Sequence, residues 1–562
     1  MDMENPWFAS YPAGIPHQID PSVHGSIDAL MRDAVASFGA APAFSSFGAT
    51  LSYDALDARV DAFAAFCQHR LGLKPGERIA LMMPNLLQYP VALFGALRAG
   101  LCVVNTNPLY TERELSHQLA DSGASAIVVL ENFAHVVARS LRHSAVRHVV
   151  VTRIGDMVPG LRGPLMSFVV KHVKRMVPPF AIDGAIAWRD AMAEGGRLEP
   201  HPVEIAPEDV AFLQYTGGTT GVAKGAVLTH RNMIANVLQA GAWVASKVRR
   251  GQEVVITALP LYHIFALLAN CLLFVRAGGH NVLVTNPRDL PTLVKTLRTS
   301  HFTAITGVNT LFNALLRAPG FADVDFSALR ISLSGGMATQ RDVAERWKAV
   351  TGCPLTEAYG LTEASPAVCI NPLETQEFNG TIGLPIPSTD VMVVDDAGQA
   401  VGTGESGELC VRGPQVMREY WNRPEETAAV LSADGWLHTG DIAVIQPDGY
   451  VRLVDRKKDM ILVSGFNVFP NEIEDVAASH PGVAEVGAIG VADEHSGEVV
   501  KLVVVRADPA LTADALRAFC RERLTGYKRP RYIEFTDELP KSNVGKILRR
   551  ELRERFGGAN EG

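Results

Sequence analysis

Tyr215-Thr216-Gly217-Gly218-Thr219-Thr220-Gly221-Val222-Ala223-Lys224-Gly225 follows the apolar run Val210-Ala211-Phe212-Leu213. In that order, a buried strand ends in a loop rich in glycine and hydroxyls that closes on a lysine. Backbone N–H groups and threonine hydroxyls in such a loop can surround phosphate oxygens, because glycine lets the chain turn with positive φ and approach the anion closely. Lys224 adds a point charge for a phosphate tail. The loop is not a Walker A sequence, since Ala223 precedes the lysine and Gly225 follows it. An ordinary Gly/Thr surface turn has the same local composition, so the segment alone leaves both readings open.

Around this loop, apolar strand-like runs alternate with amphipathic stretches. Arg78-Ile79-Ala80-Leu81-Met82, residues 123–130 and His148-Val149-Val150-Val151 read as strands, and residues 90–99 and 111–122 as helices. That alternation predicts layered α/β subdomains with largely parallel sheets. After Asp434-Gly435-Trp436 the texture changes to shorter strands, a turn at Asp448-Gly449 and a charged stretch at Asp455-Arg456-Lys457-Lys458-Asp459. Strands at 483–491 and 501–505 and a helix over 513–524 complete a small α+β unit. The expected division is a large N-terminal domain, 1–454, and a small C-terminal domain, 455–562, of a size that folds independently.

The chain has ample core material: 47% of its 562 residues are hydrophobic and 20% charged. A net charge of −8 argues against a nucleic-acid binder built on phosphate contacts. Seven scattered cysteines form no C-x-x-C pair, which fits reduced thiols in the cytoplasm and neither a disulfide framework nor a zinc site. The start, Met1-Asp2-Met3-Glu4-Asn5-Pro6, lacks the basic-then-apolar order of a secretory signal. Residues 254–275 are mostly apolar, but Pro260, Tyr262, His263 and Asn270 interrupt them, so a buried strand, a loop and a helix are expected in place of a membrane span. Residues 164–177 combine apolar positions at helical spacing with Lys171, Lys174 and Arg175. Two readings stay open there: a helix resting on an anionic membrane surface at the inner face, or one whose apolar side packs on its own domain.

Further segments suggest parts of one nucleotide-dependent reaction. Glu357-Ala358-Tyr359-Gly360-Leu361-Thr362-Glu363 places a ring able to stack on a base four residues from a carboxylate able to hold Mg²⁺. In Trp436-Leu437-His438-Thr439-Gly440-Asp441 the aspartate can accept from ribose hydroxyls, and Leu539-Pro540-Lys541-Ser542-Asn543-Val544-Gly545-Lys546 puts a lysine on a glycine-containing loop near the C-terminus. Any one of these charged groups is equally at home on a solvated face. Together, with Leu259-Pro260-Leu261-Tyr262-His263-Ile264-Phe265 and Ile461-Leu462-Val463-Ser464-Gly465-Phe466-Asn467-Val468, their identity and order resemble the adenylate-forming superfamily of acyl-CoA synthetases, luciferases and peptide-synthetase adenylation domains. The resemblance is strongest to bacterial long-chain fatty-acid–CoA ligases and covers nearly the whole chain.

The resemblance implies a two-step ligation in which a carboxylate attacks the α-phosphate of ATP and coenzyme A then displaces AMP, catalysis being mainly positioning and charge stabilisation. It implies that Thr216, Gly217, Gly218, Thr219, Thr220, Gly221 and Lys224 hold the ATP phosphates and that Thr216 and Glu363 flank Mg²⁺. Gly335, Gly336, Glu357, Ala358, Tyr359, Gly360 and Thr362 would form the adenine and AMP pocket, with Asp441 and Arg456 on the ribose. Lys546 would be the catalytic lysine of the first step, and His263 would orient the substrate carboxylate, as imidazole or its cation. Asp455 matches a hinge about which a mobile C-terminal domain rotates, withdrawing Lys546 and bringing Ser464, Gly465 and Phe466 up to complete a pantetheine tunnel. The expected substrate is a medium- to long-chain fatty acid. An aryl or branched carboxylate, transfer of the acyl-adenylate to a carrier protein, and a silent nucleotide-binding protein are the alternatives. Gly307-Val308-Asn309-Thr310 and Met337 are candidates for the acyl tunnel. Oligomeric state is not legible, and a homodimer stays open.

Overall fold

The computed structural model describes residues 5–216, 223–464, 466–493, 495–542 and 544–558. A large N-terminal domain of mixed α/β sheets carries a smaller C-terminal domain. One sheet of eight strands is ordered Glu419–Tyr420, Lys224–Thr229, Val210–Thr216, Cys102–Asn105, Arg78–Met82, Ala126–Leu130, His148–Thr152 and Ile186–Ala187. Its centre is parallel, and only the strands around Lys224–Thr229 pair antiparallel. Ala126–Leu130 is buried at every position, as an apolar run must be when helices cover both faces of a parallel sheet. One of the covering helices, Glu112–Ser122, starts on a capping box between Thr111 and Glu114 and ends on Gly123 in the left-handed conformation.

A second sheet of nine strands contains the parallel series His280–Leu283, Val254–Thr257, Ala304–Gly307, Ile331–Ser334 and Leu355–Gly360. A four-stranded antiparallel sheet follows, made of Asp390–Val394, Ser406–Arg412, Leu437–Ile445 and Val451–Arg456. The C-terminal domain has its own sheet, in which Val483–Asp493 and Gly497–Arg506 pair in a long hairpin and Tyr532–Phe535 adds in parallel. Helices Pro470–Ala478 and Ala513–Arg523 cover it over a core of Ile473, Val486, Leu502, Leu516 and Ile533.

The interrupted run at 254–275 is, as expected, a buried strand, Val254–Thr257, a loop and helical turns from Ile264 to Arg276. No helix among the described residues is long and apolar enough to cross a membrane. All seven cysteines are free and buried.

Residues 164–177 depart from the packed-face reading. Helix Arg162–Phe168 and the π-helical turn Val169–Val173 present small residues, not large ones, to the body of the domain. Gly163 and Ser167 are buried; a Cβ on Gly163 would stand 2.3 Å from Gly155 O and 2.5 Å from Val158 O, so backbone meets backbone there. That close approach turns Leu161, Leu165, Phe168, Val173 and Met176 outward, 55% to 88% exposed.

Candidate active site

Apart from 461–468, the segments singled out above meet at the carboxyl ends of parallel strands, where ligands of open α/β sheets are expected. Loop 260–263, which leaves Val254–Thr257, is pinned from beneath by buried amides. Asn85 Nδ2 donates to Thr257 O (2.9 Å) and Leu259 O (2.8 Å), while Asn85 Oδ1 accepts from Leu261 N (2.8 Å). Gln214 Nε2 donates to Tyr262 O (2.9 Å) and Tyr89 Oη to Leu261 O (2.9 Å). His263 then caps the helix Ile264–Ala266, its Nδ1 accepting from Phe265 N at 3.3 Å. That leaves the ring proton on Nε2. Burial, then the nearby Lys546 charge, push the imidazole down to about 4, so it is neutral near pH 7.

Strands Ile331–Ser334 and Leu355–Gly360 lie side by side, so Gly335 follows one and Ala358-Tyr359 end the other. A Cβ on Gly335 would meet Ala358 O at 3.1 Å and the Phe265 ring at 3.2 Å, and Gly336 has φ +79°. Any side chain would close that slot. Gly360 is needed for another reason: its Cβ would lie 2.2 Å from Pro366 O. Thr362 opens the turn Thr362–Ala364 that carries Glu363. Tyr359 Oη donates to Asp441 Oδ2 at 2.5 Å, and Arg456 Nε stands 3.3 Å from Asp441 Oδ1. Asp441 and Arg456 are themselves partners across two antiparallel strands. Burial first, then the Asp441 charge, hold the Tyr359 phenol far above its ordinary value, so it stays a donor. Glu357 is buried with one backbone donor, Thr339 N at 3.1 Å, and burial pushes it up to about 8.

At the phosphate-loop end, Thr216 and Lys224 face each other across the strand pair. Gly217, Gly218, Thr219, Thr220 and Gly221 lie outside the described residues, as does Gly465. Lys224 Nζ stands 5.0 Å over the Tyr420 ring, and Tyr420 Oη donates to Glu363 Oε1 at 2.6 Å. Tyr420 thus ties two of the expected residues together, a role the sequence reading missed; only an aromatic pair, Tyr420-Trp421, marks the place. Among the described residues no three His, Cys, Asp or Glu side chains cluster as a metal site. A lone hard carboxylate suits Mg²⁺, which takes most of its ligands from water and substrate phosphates.

Lys546 reaches this site from the C-terminal domain. Its loop is closed by Ser542 N to Lys546 O (2.7 Å), Gly545 N to Ser542 O (2.9 Å) and Lys546 N to Ser542 Oγ (3.1 Å). Burial, then Arg456 and Arg549 against Asp441 and Asp459, bring its ammonium down to about 7. His263, Asp441, Arg456 and Lys546 therefore share one electrostatic environment. Asp455 lies in Val451–Arg456, and its buried carboxylate accepts from Arg456 N (2.7 Å), Asn471 N (2.8 Å) and Arg549 Nη1 (2.9 Å). Ser464 and Phe466 are not brought to Lys546. Ser464 N donates to Ser496 O (2.7 Å), and the exposed Phe466 ring stacks on Tyr527 at 4.6 Å.

The family model described as AMP-binding enzyme matches residues 31–421, and that of the AMP-binding enzyme C-terminal domain matches 472–546. The chain belongs to the AMP-binding enzyme family. It is 57% identical over 556 residues to a long-chain-fatty-acid–CoA ligase of Escherichia coli O157:H7, covering 99% of both chains. A long-chain-fatty-acid–CoA ligase of Haemophilus influenzae is 52% identical over 559 residues, with 98% of each covered. Among solved structures, ATP-bound MatB from Rhodopseudomonas palustris matches with a TM-score of 0.81 at 27% identity, over 95% of this chain and 99% of that one. This AMP-binding enzyme thus shares its fold along almost its full length with such ligases.

Proposed function

We propose that this AMP-binding enzyme ligates a medium- to long-chain fatty acid to coenzyme A, at the cost of ATP cleaved to AMP and pyrophosphate. The observation that carries the reading is Lys546, delivered by the second domain into the environment of His263, Asp441 and Arg456; the full-length likeness to long-chain-fatty-acid–CoA ligases supports the substrate class. In the first step a carboxylate oxygen bonds to the α-phosphorus and pyrophosphate leaves. In the second the sulfur of coenzyme A bonds to the acyl carbon, AMP leaves and the thiol proton is lost.

The neutral His263 donates from Nε2 to the substrate carboxylate and orients it. Tyr359 and Arg456 hold Asp441 for the ribose hydroxyls, the slot at Gly335-Gly336 takes the adenine, and Lys224 and Lys546 place positive charge on the phosphates. Glu363 and Thr216 would hold Mg²⁺, which supplies charge neutralisation for the phosphate oxygens. Rotation of the 455–562 domain about Asp455 would then exchange Lys546 for the 464–466 loop. AMP release from ATP, with and without coenzyme A, across fatty acids of graded length and aromatic acids tests the reading. Coenzyme-A-dependent release with long saturated chains is expected; activity confined to short or aromatic acids would overturn the substrate class.

The enzyme works in the cytoplasm, with the outward apolar stripe of 161–176 resting on an anionic membrane surface. No acidic residue occurs from 157 to 182, while Arg162, Lys171, Lys174 and Arg175 do, so apolar insertion and headgroup attraction act together. Sedimentation with vesicles containing anionic phospholipid should fall sharply in Leu165→Ser/Phe168→Ser. Undiminished sedimentation of that variant would refute the contact.

A further inference from the structure

Three side chains of the helix Asn309–Arg317 cross to the C-terminal domain, and each donates to a backbone carbonyl. Thr310 Oγ1 donates to Gly545 O at 3.0 Å, Asn313 Nδ2 to Ala484 O at 3.1 Å and Arg317 Nη2 to Val483 O at 3.3 Å. Positions 310, 313 and 317 fall on one helix face. The face is held in place from its own domain. Arg346 Nη2 donates to Asn313 Oδ1 at 3.1 Å, which directs the amide nitrogen of the buried Asn313 at Ala484. Asn309 and Gln340 exchange hydrogen bonds of 3.1 and 3.0 Å at the start of the helix, and Phe312 and Leu315 anchor its far side in the core.

The contact at Gly545 is tighter than a side chain permits. Its φ is +85°, and a Cβ would stand 2.6 Å from Thr310 Oγ1 and 3.3 Å from Val308 Cγ2. Because the 542–546 turn is closed on itself, fixing the Gly545 carbonyl also fixes the backbone from which the Lys546 side chain leaves.

We infer that this helix face is the cradle in which the C-terminal domain docks for adenylate formation, and that Thr310 is a positioning residue that places Lys546 through the Gly545 carbonyl; the inference rests on the ligase reading above. The three donors read only main chain, so the cradle recognises the shape of the docked domain, and Arg317 is the one charged donor that undocking leaves without its carbonyl. Thr310 spends its hydroxyl proton on this contact.

Thr310→Val keeps the shape and removes the donor, whereas Thr310→Ser keeps the donor. Fatty-acid-dependent exchange of pyrophosphate into ATP reads the first step, and thioester formation from supplied acyl-adenylate and coenzyme A reads the second. The valine variant should slow the exchange about fivefold, the worth of one neutral hydrogen bond, and leave thioester formation unchanged. The serine variant should restore the exchange. Amide hydrogen exchange over 540–548 should be faster in Thr310→Val than in the wild type or Thr310→Ser. Equal slowing of both steps, no slowing of the first, or failure of serine to restore it would overturn the inference. A wild-type protein inactive in both steps would overturn the ligase reading instead, and unchanged amide exchange in Thr310→Val would then refute the docking on its own.

Discussion

Lys546 offers the sharpest test because its charge state and its place in the site depend on each other. Its ammonium, held at about 7 by burial and by Arg456 and Arg549, is mostly neutral at pH 8, with about 0.1 proton bound. The phosphates of ATP add negative charge beside this half-buried amine, beyond that of Asp441 and Asp459, so binding ATP should draw in about 0.9 proton per site at that pH. Calorimetric titration with ATP and Mg²⁺, without fatty acid, in two buffers of different ionisation enthalpy measures the uptake. Lys546→Met should take up about 0.9 proton fewer. The same variant should lose adenylate formation by about a hundred- to a thousandfold, the size of losing one preorganised charge on a reacting group, and keep thioester formation from supplied acyl-adenylate. The stability sign follows from the same depression. Between pH 7 and 10 the native state binds fewer protons than the unfolded chain, so wild-type stability rises with pH relative to Lys546→Met. Equal proton uptake by the two proteins, or equal loss of both half-reactions, would refute the placement of Lys546.

Tyr420→Phe removes a 2.6 Å hydrogen bond to Glu363 but keeps the ring beneath Lys224. A bond to a charged group is worth about 1.5–3 kcal/mol, so the Mg²⁺ concentration needed for half-maximal activity should shift about ten- to a hundredfold; an unaltered Mg²⁺ titration would sever Tyr420 from the Mg²⁺ role proposed for Glu363. Glu357, raised to about 8 by burial, stabilises the fold below its unfolded pKa and loses that contribution as pH rises through about 8. From pH 6 to 8.5 this amounts to about 2–3 kcal/mol, so chemical denaturation of Glu357→Gln should show a flatter pH dependence than the wild type, and parallel curves would show Glu357 to be ionised throughout.

What the sequence made legible was chemistry held in short runs. Thr216 and Lys224, Gly335 and Gly336, and Glu357 to Glu363 each lie at or just past the end of a buried strand, where chain direction alone brings them to one side of the sheets. Partners chosen by the approach of distant segments were not legible. Tyr420 reaches Glu363 only because Glu419–Tyr420 adds to the edge of Lys224–Thr229, and Thr310 meets Gly545 across 235 positions of chain. The segment over 162–173 left two readings open for a different reason. Its pattern has both a large apolar side and a small one, and periodicity alone gives no rule for which side packs. The close backbone approach of Gly155 and Gly163 decides it.

The same geometry bears on the proposed rotation, in which one chain would hold a single domain orientation and still leave it. Asp455 accepts three hydrogen bonds with its side chain fully buried, two of them from Asn471 N and Arg549 of the C-terminal domain. Arg549 also pairs with Glu474 at 2.8 Å and stands 3.6 Å from Asp459. Because these charged partners lie within or beside the C-terminal domain, the rotation about 455 and 456 proposed above would carry them along instead of pulling them apart. The contacts it would break are the three carbonyl bonds of the cradle, one of them from the Arg317 guanidinium, and the pairs of Lys457 with Asp396 at 2.9 Å and Glu408 at 3.8 Å. The two neutral cradle bonds, at about 0.5–1.5 kcal/mol each, and the guanidinium bond, at about 1.5–3 kcal/mol, amount to about 3–6 kcal/mol, a gap of the size that differential ligand binding can offset. If Asp455 is the hinge proposed above, the charges around it and the carbonyl contacts at the cradle divide the labour: the first would hold the C-terminal domain together, and the second would set how readily it turns.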